Sequence, residues 1–340
     1  MEAGRLAVTR EQILTFRRRV GELDERVPGG RRSLRRAAWA GLQDSVPRAA
    51  LLSLHARVAG TGPAAWEDPS LVQLWGPRFS AYVVAASDRA VFTLGRLPED
   101  AAGRRRAQSA ADSLEAVLGG EAVPYGRAGR ALGVPPNSLR YAGPTGRVLM
   151  RWDGARQPIV WTVPAPEMDP GEARVELARR YLHVFGPGTP EGFTRWAGIP
   201  RRGGVAAFSA LLPSLTPVAT PIGEAWILSE DAAALRAAPG PVAPARLLPS
   251  GDAYFLLQGD DRQVLVPDAG QRALLWTPRV WPGALLLGGE IVGTWRRSQE
   301  TVTIDAWQRL SRAQRAAVEA EAASLPLPGI QGEITVRWGD

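Results

Sequence analysis

The chain has 340 residues, 45% hydrophobic and 22% charged, which is enough for two or three domains with a sizeable core and excludes a disordered tail. Its 41 basic residues exceed its 34 acidic residues, and this surplus favours polyanionic partners such as DNA, RNA or an anionic membrane. The absence of cysteine excludes disulfides and cysteine–metal sites, and His55 and His183 lie too far apart in sequence to indicate a metal site, so we expect no metal and no cofactor.

Every basic residue is an arginine, because lysine is absent. A GC-rich genome explains the choice of arginine over lysine, but not the surplus of basic over acidic residues. The planar guanidinium suits bidentate contacts to phosphate and to base edges. The N-terminal residues lack an apolar run of the signal-peptide type, and no stretch approaches the ~20 apolar residues that span a bilayer. We therefore expect a cytoplasmic, nucleoid-associated protein.

The predicted elements repeat one order, three helices followed by a β-hairpin. The first and loosest set has helices near 33–42, 47–58 and 69–75, then strands at 82–84 and 91–94. The second has helices at 104–118, 127–132 and 135–141, then strands at 148–152 and 158–163 around a turn at 153–156. The third has a helix at 170–185 capped by Asp169, a short helix started by Thr189-Pro190, and a helix at 201–212, then strands at 216–219 and 225–228. Three helices followed by a two-stranded wing is the winged-helix arrangement.

From about residue 246 the pattern changes to short β-prone runs. Strands are predicted at 254–257, 263–266, 285–287, 291–295 and 333–338. A capping box of Ser311 and Gln314 predicts a helix that runs to about Ser324. The Pro/Ala-rich stretch 237–245 is the best candidate for a linker. The expected fold class is α+β, with tandem winged-helix units over residues 1–98, 99–168 and 169–236 and a small C-terminal β-rich domain over 246–340.

Four segments resemble the AlkZ-like winged-helix DNA glycosylases. In chain order they are 41–48 (GLQDSVPR), 177–187 (LARRYLHVFGP), 194–198 (TRWAG) and 288–297 (GGEIVGTWRR). The resemblance implies tandem winged helices wrapped around duplex DNA. For characterised members it also implies monofunctional glycosylase activity on alkylated purines and, in some, on DNA crosslinks.

The catalytic motif of that family is a glutamine, a hydrophobic residue and then a glutamine or aspartate. The corresponding residues here are Gln43, Asp44 and Ser45, and only Gln43 keeps the family residue. A cationic N-alkylpurine leaves readily, so an enzyme must stabilise the sugar cation and position or deprotonate one water. Gln43 can orient that water, Asp44 can be the base if its side chain faces the cleft, and Ser45 can relay a hydrogen bond. The alternative is that Asp44 or Ser45 caps a helix beginning at Pro47.

Arginines near predicted helix starts and strand ends are candidates for DNA contacts. The candidate set is Arg48, Arg78, Arg140, Arg201, Arg202, Arg296 and Arg297. We expect the partner to be double-stranded DNA, with or without alkylated bases. A monomer is expected, because several winged units in one chain do not need a dimer to bind DNA. Two functions remain open: a monofunctional DNA glycosylase, and a non-catalytic DNA-binding protein such as a regulator or damage sensor.

Overall fold

The helices and strands are taken from a computed structural model, which describes residues 6–154, 156–330 and 332–339. The α-helices are α1 (Arg10–Val20), α2 (Arg31–Ala37), α3 (Ala49–Arg57), α4 (Arg89–Leu94), α5 (Ala101–Leu118), α6 (Tyr125–Ala131), α7 (Pro170–Phe185), α8 (Pro190–Ala197), α9 (Arg201–Leu211), α10 (Ala232–Arg236), α11 (Asp261–Leu265), α12 (Ala269–Leu275) and α13 (Arg312–Ala323). The strands are β1 (Leu6–Ala7), β2 (Leu42–Gln43), β3 (Leu71–Trp75), β4 (Ala81–Ala85), β5 (Val123–Pro124), β6 (Val148–Arg151), β7 (Ile159–Thr162), β8 (Leu215–Thr220), β9 (Gly223–Leu228), β10 (Ala245–Leu248), β11 (Gly283–Leu287), β12 (Glu290–Ser298), β13 (Thr301–Ala306) and β14 (Thr335–Trp338).

The strands form three sheets. Their strand orders are β2-β4-β3-β6-β7-β5, β10-β11-β12-β13-β14 and β1-β8-β9. Neighbouring strands run antiparallel, apart from the parallel pairs β1–β8 and β13–β14. β3 meets β6 where Gln73 lies opposite Met150. The hairpins β3–β4 and β6–β7 therefore belong to one six-stranded sheet.

The third predicted set matches the observed elements most closely. α7, α8 and α9 are followed by the antiparallel hairpin β8–β9. The starts of α7 and α8 are capped as the sequence predicts: Asp169 accepts hydrogen bonds from the N–H groups of Gly171 and Glu172, and Thr189 accepts one from Gly192. Aromatic side chains of α7 and α8 pack against one another in the core between these helices, namely Tyr181, Phe185, Phe193 and Trp196.

Two elements of the first set were predicted wrongly. Residues 69–75 were predicted as a helix, but 71–75 form β3 and pair with β4 through the five-residue loop 76–80. Residues 91–94 were predicted as a strand, but they lie in α4, where Val91, Phe92 and Leu94 are buried. The run is β-prone by composition, but a run this short is decided by its tertiary context, and burial of this face against the core favours the helix. The proline-started helix at 135–141 is a stretch of 3-10 helix, Pro136–Thr145.

The C-terminal sheet confirms some predictions and corrects others. β11, β12 and β14 occupy predicted strands, and α13 begins at the predicted capping box of Ser311 and Gln314. The predicted strands at 254–257 and 263–266 are instead a 3-10 turn, Ala253–Phe255, and α11. The turn forms because Asp252 accepts a hydrogen bond from the N–H of Tyr254.

Some predictions concern residues outside the described part of the chain. The prediction that the N-terminus lacks a signal-peptide type of run concerns, in part, residues 1–5. The predicted turn of the second hairpin includes Ala155. Among the described helices, none is long and apolar enough to cross a bilayer.

Candidate functional site

In the segment Gln43-Asp44-Ser45, Gln43 is the last residue of β2, Asp44 follows it directly and Ser45 lies in a bend. Gln43 lies opposite Tyr82 of β4, and the backbone N–H of Asp44 donates to the carbonyl of Ala81 at 2.8 Å. Successive side chains of an extended segment face opposite sides. Asp44 is accordingly buried, at 4% exposure, whereas Gln43 is half-buried and Ser45 is exposed. The outer two motif residues thus face outward and the middle residue faces the interior.

Both carboxylate oxygens of Asp44 are engaged inside the protein. Oδ1 accepts the N–H of Ala50, in the first turn of α3, at 2.9 Å, and Oδ2 accepts Nε2 of Gln73 at 2.6 Å. Burial raises the pKa of Asp44 to about 6, although the bonds from Ala50 and Gln73 act in the opposite direction. Asp44 thus accepts one N–H group from the first turn of α3, as the capping interpretation suggests, although the residue at the N-cap position of α3 is Arg48. The condition for Asp44 to act as a base, a side chain facing the cleft, is not met.

The helix that Asp44 caps begins two residues later than the sequence suggests. The prediction placed its start at Pro47, but α3 starts at Ala49. Arg48 precedes it with a left-handed backbone, at φ 67°, and this conformation cannot belong to a helical turn.

The side-chain amide of Gln43 is held on two sides. Its Oε1 accepts hydrogen bonds from Nη2 of Arg78 at 3.1 Å and from the hydroxyl of Tyr82 at 3.5 Å. Its Nε2 faces Gly251, where a Cβ atom would lie only 3.1 Å away. Gly251 also has a left-handed backbone, at φ 76°, which favours glycine at this position.

The loop that contains Gly251 is anchored to α3 by a buried ion pair. Asp252 accepts two hydrogen bonds from Arg57, each 2.7 Å long, and a third from the hydroxyl of Ser53 at 2.6 Å. Asp252 and Arg57 are almost completely buried. A bidentate pair of this kind fixes direction as well as distance, so it holds the loop against the helix that follows the motif.

A cleft of about 290 Å³ opens beside the motif. Its walls come from the segment before α3, the loops at 249–250 and 280–283, and β12. Trp281, Trp295 and Pro47 supply apolar surface, and Arg296 and Arg297 supply positive charge. Aromatic surface next to arginine suits a planar base attached to a phosphodiester.

Three of the seven arginines predicted to bind DNA contact Gln43 or line this cleft. Arg296 and Arg297 line it, and Arg78 bonds to Gln43. Burial lowers the pKa of Arg297, and the nearby charge of Arg48 lowers it further. The guanidinium of Arg140 lies over Tyr141 at 5.5 Å, and that ring contacts Phe79 next to Arg78. This group of arginines makes the region electropositive.

The last two of the seven predicted arginines are placed differently. Arg201 and Arg202, at the start of α9, form ion pairs with Glu191 at 2.9 Å and Glu99 at 3.0 Å. Their guanidinium groups are largely exposed, so these pairs can exchange for other anions.

Sequence reasoning missed four residues of the site: Gln73, Arg57, Asp252 and Gly251. An arginine in the otherwise apolar α3 is one signal that could have indicated a buried ion pair. No signal in the sequence pairs Gln73 with Asp44. Among the described residues, no group of three or more acidic or histidine side chains is placed to hold a metal.

An electropositive cleft with aromatic walls, on an α+β scaffold with a three-helix-and-hairpin set, is typical of nucleic-acid-binding proteins. Comparison with known proteins identifies a family within this broad class. The profile of the AlkZ-like DNA glycosylases matches residues 34–326, and the chain belongs to that family. This confirms the resemblance seen in the four sequence segments.

Two relatives come from Streptomyces sahachiroi. An interstrand DNA cross-link repair glycosylase is 31% identical over 180 residues, which cover 48% of this chain and 47% of that protein. The match thus spans about half the length of the curated relative. The solved structure of the DNA glycosylase AlkZ has a TM-score of 0.78 at 19% identity, covering 98% of this chain and 100% of that one. The two chains therefore share a fold.

Proposed function

We propose that this protein is a monofunctional DNA glycosylase that acts as a monomer on alkylated purines in duplex DNA. The observation that carries the proposal is Gln43, which keeps the family's motif residue, is half-buried and bonds to Arg78. Its amide nitrogen faces Gly251, whose neighbour Ser250 lines the arginine-lined cleft. The curated relative, whose name is interstrand DNA cross-link repair glycosylase, supports the reaction class.

The fold supports a DNA-binding scaffold of winged-helix units. The order α7, α8, α9 and then β8–β9 suits a winged-helix unit over residues 169–236. We assign the other units to 1–98 and 99–168, with their hairpins joined in one sheet, and the C-terminal domain to 246–340. In this arrangement Arg296 and Arg297, which line the cleft, contact phosphates, and Arg201 and Arg202, at the start of α9, contact the DNA backbone.

The proposed reaction is hydrolysis of the N-glycosidic bond. Water adds its oxygen to the anomeric carbon, one proton passes to solvent, and the alkylated base leaves as a neutral purine. Because the base is cationic before it leaves, a strong general base is not required. Gln43 holds the water and Ser45 relays a hydrogen bond. Asp44 acts from inside, by fixing the start of α3 next to the motif.

One observation favours the alternative, a non-catalytic DNA-binding protein. The outward-facing residues of the motif are Gln43 and Ser45, so no carboxylate of the motif faces the cleft. A damage sensor needs the cleft and the arginines but not a positioned water.

Single-turnover excision on duplexes carrying a methylated purine or a bulky N7-alkylguanine separates the two functions. We expect the wild-type protein to produce abasic sites, and Gln43→Ala to be about 100-fold slower or more, as for other positioned catalytic groups. Gln108→Ala, an exposed glutamine of α5, is the matched control and should excise at the wild-type rate.

Binding measured on the same duplexes completes the test. Affinity should fall steeply with salt, because several arginines displace counterions. Salt-dependent binding without excision of any lesion would favour the non-catalytic function. Failure to bind duplex DNA at low salt would contradict both functions.

A further inference from the structure

We propose that Arg78 is a positioning residue for Gln43 and turns the Gln43 amide so that its N–H groups are the donors on the side of Gly251, whose neighbour Ser250 lines the cleft. The inference rests on the proposed glycosylase function and identifies what Gln43 does there. It assigns Arg78 to holding Gln43, in place of the phosphate contact that the sequence suggested.

The orientation of the amide follows from the chemistry of its neighbours. A guanidinium carries five donors and no acceptor, so the amide atom facing Nη2 of Arg78 must be the carbonyl oxygen. The hydroxyl of Tyr82 donates to the same oxygen. Nε2 is left to face the other way, toward the loop at Gly251. The N–H groups of Gln43 are therefore the ones available to the oxygen of a bound water.

Arg78 is itself held firmly in place. Its backbone is left-handed, at φ 53°, in the β3–β4 loop. Gly198, at the end of α8, packs so closely that a Cβ atom there would lie 2.9 Å from the N and Cα atoms of Arg78. A non-glycine residue in this conformation persists only when its surroundings enforce it. The close contact between Gly198 of α8 and the backbone of Arg78 keeps Arg78 in this conformation.

A second arginine secures the same loop. Arg96 is buried, donates to the carbonyls of Trp75 and Ala197 at 3.1 and 3.0 Å, and lies 4.9 Å from the ring centre of Phe79. These contacts join the loop that carries Arg78 to the end of α8.

The opposite side of the amide is equally constrained. Gly251 leaves just enough space for Nε2, and its neighbour Asp252 is fixed to Arg57 of α3. Three parts of the chain thus meet at Gln43: the β3–β4 loop, the loop after β10, and β2 itself. Such support from both sides is what a precisely oriented catalytic group requires.

A purely phosphate-binding role for Arg78 makes different predictions. Nη1 of Arg78 is buried and, within the described part of the chain, has no hydrogen-bond partner. A phosphate ligand alone would control affinity and its salt dependence, but not the rate of the bound complex. A positioning residue controls that rate.

The experiment compares Arg78→Met with Arg130→Met, an exposed arginine on α6 as matched control. We expect Arg78→Met to slow single-turnover excision at saturating protein by about 10-fold or more, the usual worth of a charge-assisted hydrogen bond, with Kd changed less than about 3-fold. The double variant with Gln43→Ala should be no slower than Gln43→Ala alone, because Arg78→Met and Gln43→Ala remove the same function, the oriented amide of Gln43. Weaker binding with an unchanged saturated rate, or fully additive losses of rate, would overturn the proposal.

Gln43→Glu tests the direction of the hydrogen bond. A carboxylate keeps the acceptor for Arg78 but has no N–H, so it should excise as slowly as Gln43→Ala. A rate near that of the wild type would show that Gln43 acts as an acceptor toward the water.

A readout without catalysis keeps this proposal separate from the proposed function. In protein labelled with ¹⁵N-glutamine, the side-chain resonances of Gln43 are assigned by their loss in Gln43→Ala. They should shift in Arg78→Met and stay unchanged in Arg130→Met. If the wild type excises nothing, the glycosylase function fails, and an unmoved Gln43 resonance in Arg78→Met would separately overturn the positioning contact.

Discussion

Replacing Asp44 with asparagine should change how the stability of the protein depends on pH. Burial raises the pKa of this carboxyl from 3.8 to about 6. Between these two values the native protein binds a proton that the unfolded chain has released. The free energy of unfolding must therefore fall as the pH rises from about 4 to 6, and it levels off above that range.

The size of the effect follows from the shift. A rise of about 2 pKa units corresponds to about 3 kcal/mol, at ~1.4 kcal/mol per unit. The Asn variant cannot ionise, so relative to the wild type it should gain about 3 kcal/mol between pH 4 and 7. Its Nδ2 would face Nε2 of Gln73, and this contact of two donors adds a cost that does not vary with pH. Only the change in the stability difference with pH therefore reports the raised pKa of Asp44.

Urea unfolding of the wild type, Asp44→Asn and Asp44→Ala at several pH values measures this difference. Both variants should show the same pH-dependent gain. They should differ from each other by a constant, because alanine also removes the cap on α3, a loss of about 1 kcal/mol. A stability difference between wild type and variants that stays constant from pH 4 to 7 would refute the argument that Asp44 is buried and ionised at neutral pH.

Two further predictions concern the product and the anchor. Because the chain has no lysine, an active enzyme should leave intact abasic sites and give no covalent complex on borohydride treatment, and a trapped complex would contradict monofunctional chemistry. Arg57→Met leaves Asp252 buried without its partner and should lower the free energy of unfolding by about 3–5 kcal/mol in urea titrations, so a loss below 1 kcal/mol would mean that the pair does not hold the loop.

The parts of the fold that the sequence predicts correctly are those with local signals. Asp169 and Thr189 are helix caps that are each followed by proline, and they predict the first residues of α7 and α8 correctly. The Ser311 capping box does the same for α13. In each case the side chain and the backbone N–H that it accepts lie within three residues, so no tertiary contact is needed for the prediction.

The errors occur where distant contacts decide. Residues 91–94 are β-prone by composition but become helical where they pack on the core. The site depends on such contacts throughout. Gln73 reaches Asp44 from 29 positions away, and Asp252 reaches Arg57 from 195 positions away. Neither pairing leaves a pattern in one sequence, so the cap on α3 was predictable while the partners that complete the site were not.

Asp44 directly follows β2, and its side chain is on the opposite side of the backbone from that of Gln43. This placement explains why an acidic residue can occupy the middle of the motif. That position faces the interior, where the family has a hydrophobic residue, and here Ala50 and Gln73 supply hydrogen bonds that compensate the buried charge. The outward direction of Gln43 depends on the pairing of β2 with β4 and not on the identity of residue 44. The more consequential departure is Ser45, whose short side chain replaces an amide or carboxylate. Gln43 is thus the one long polar side chain of the motif that faces outward, and its orientation by Arg78 becomes the feature on which the proposed chemistry most depends.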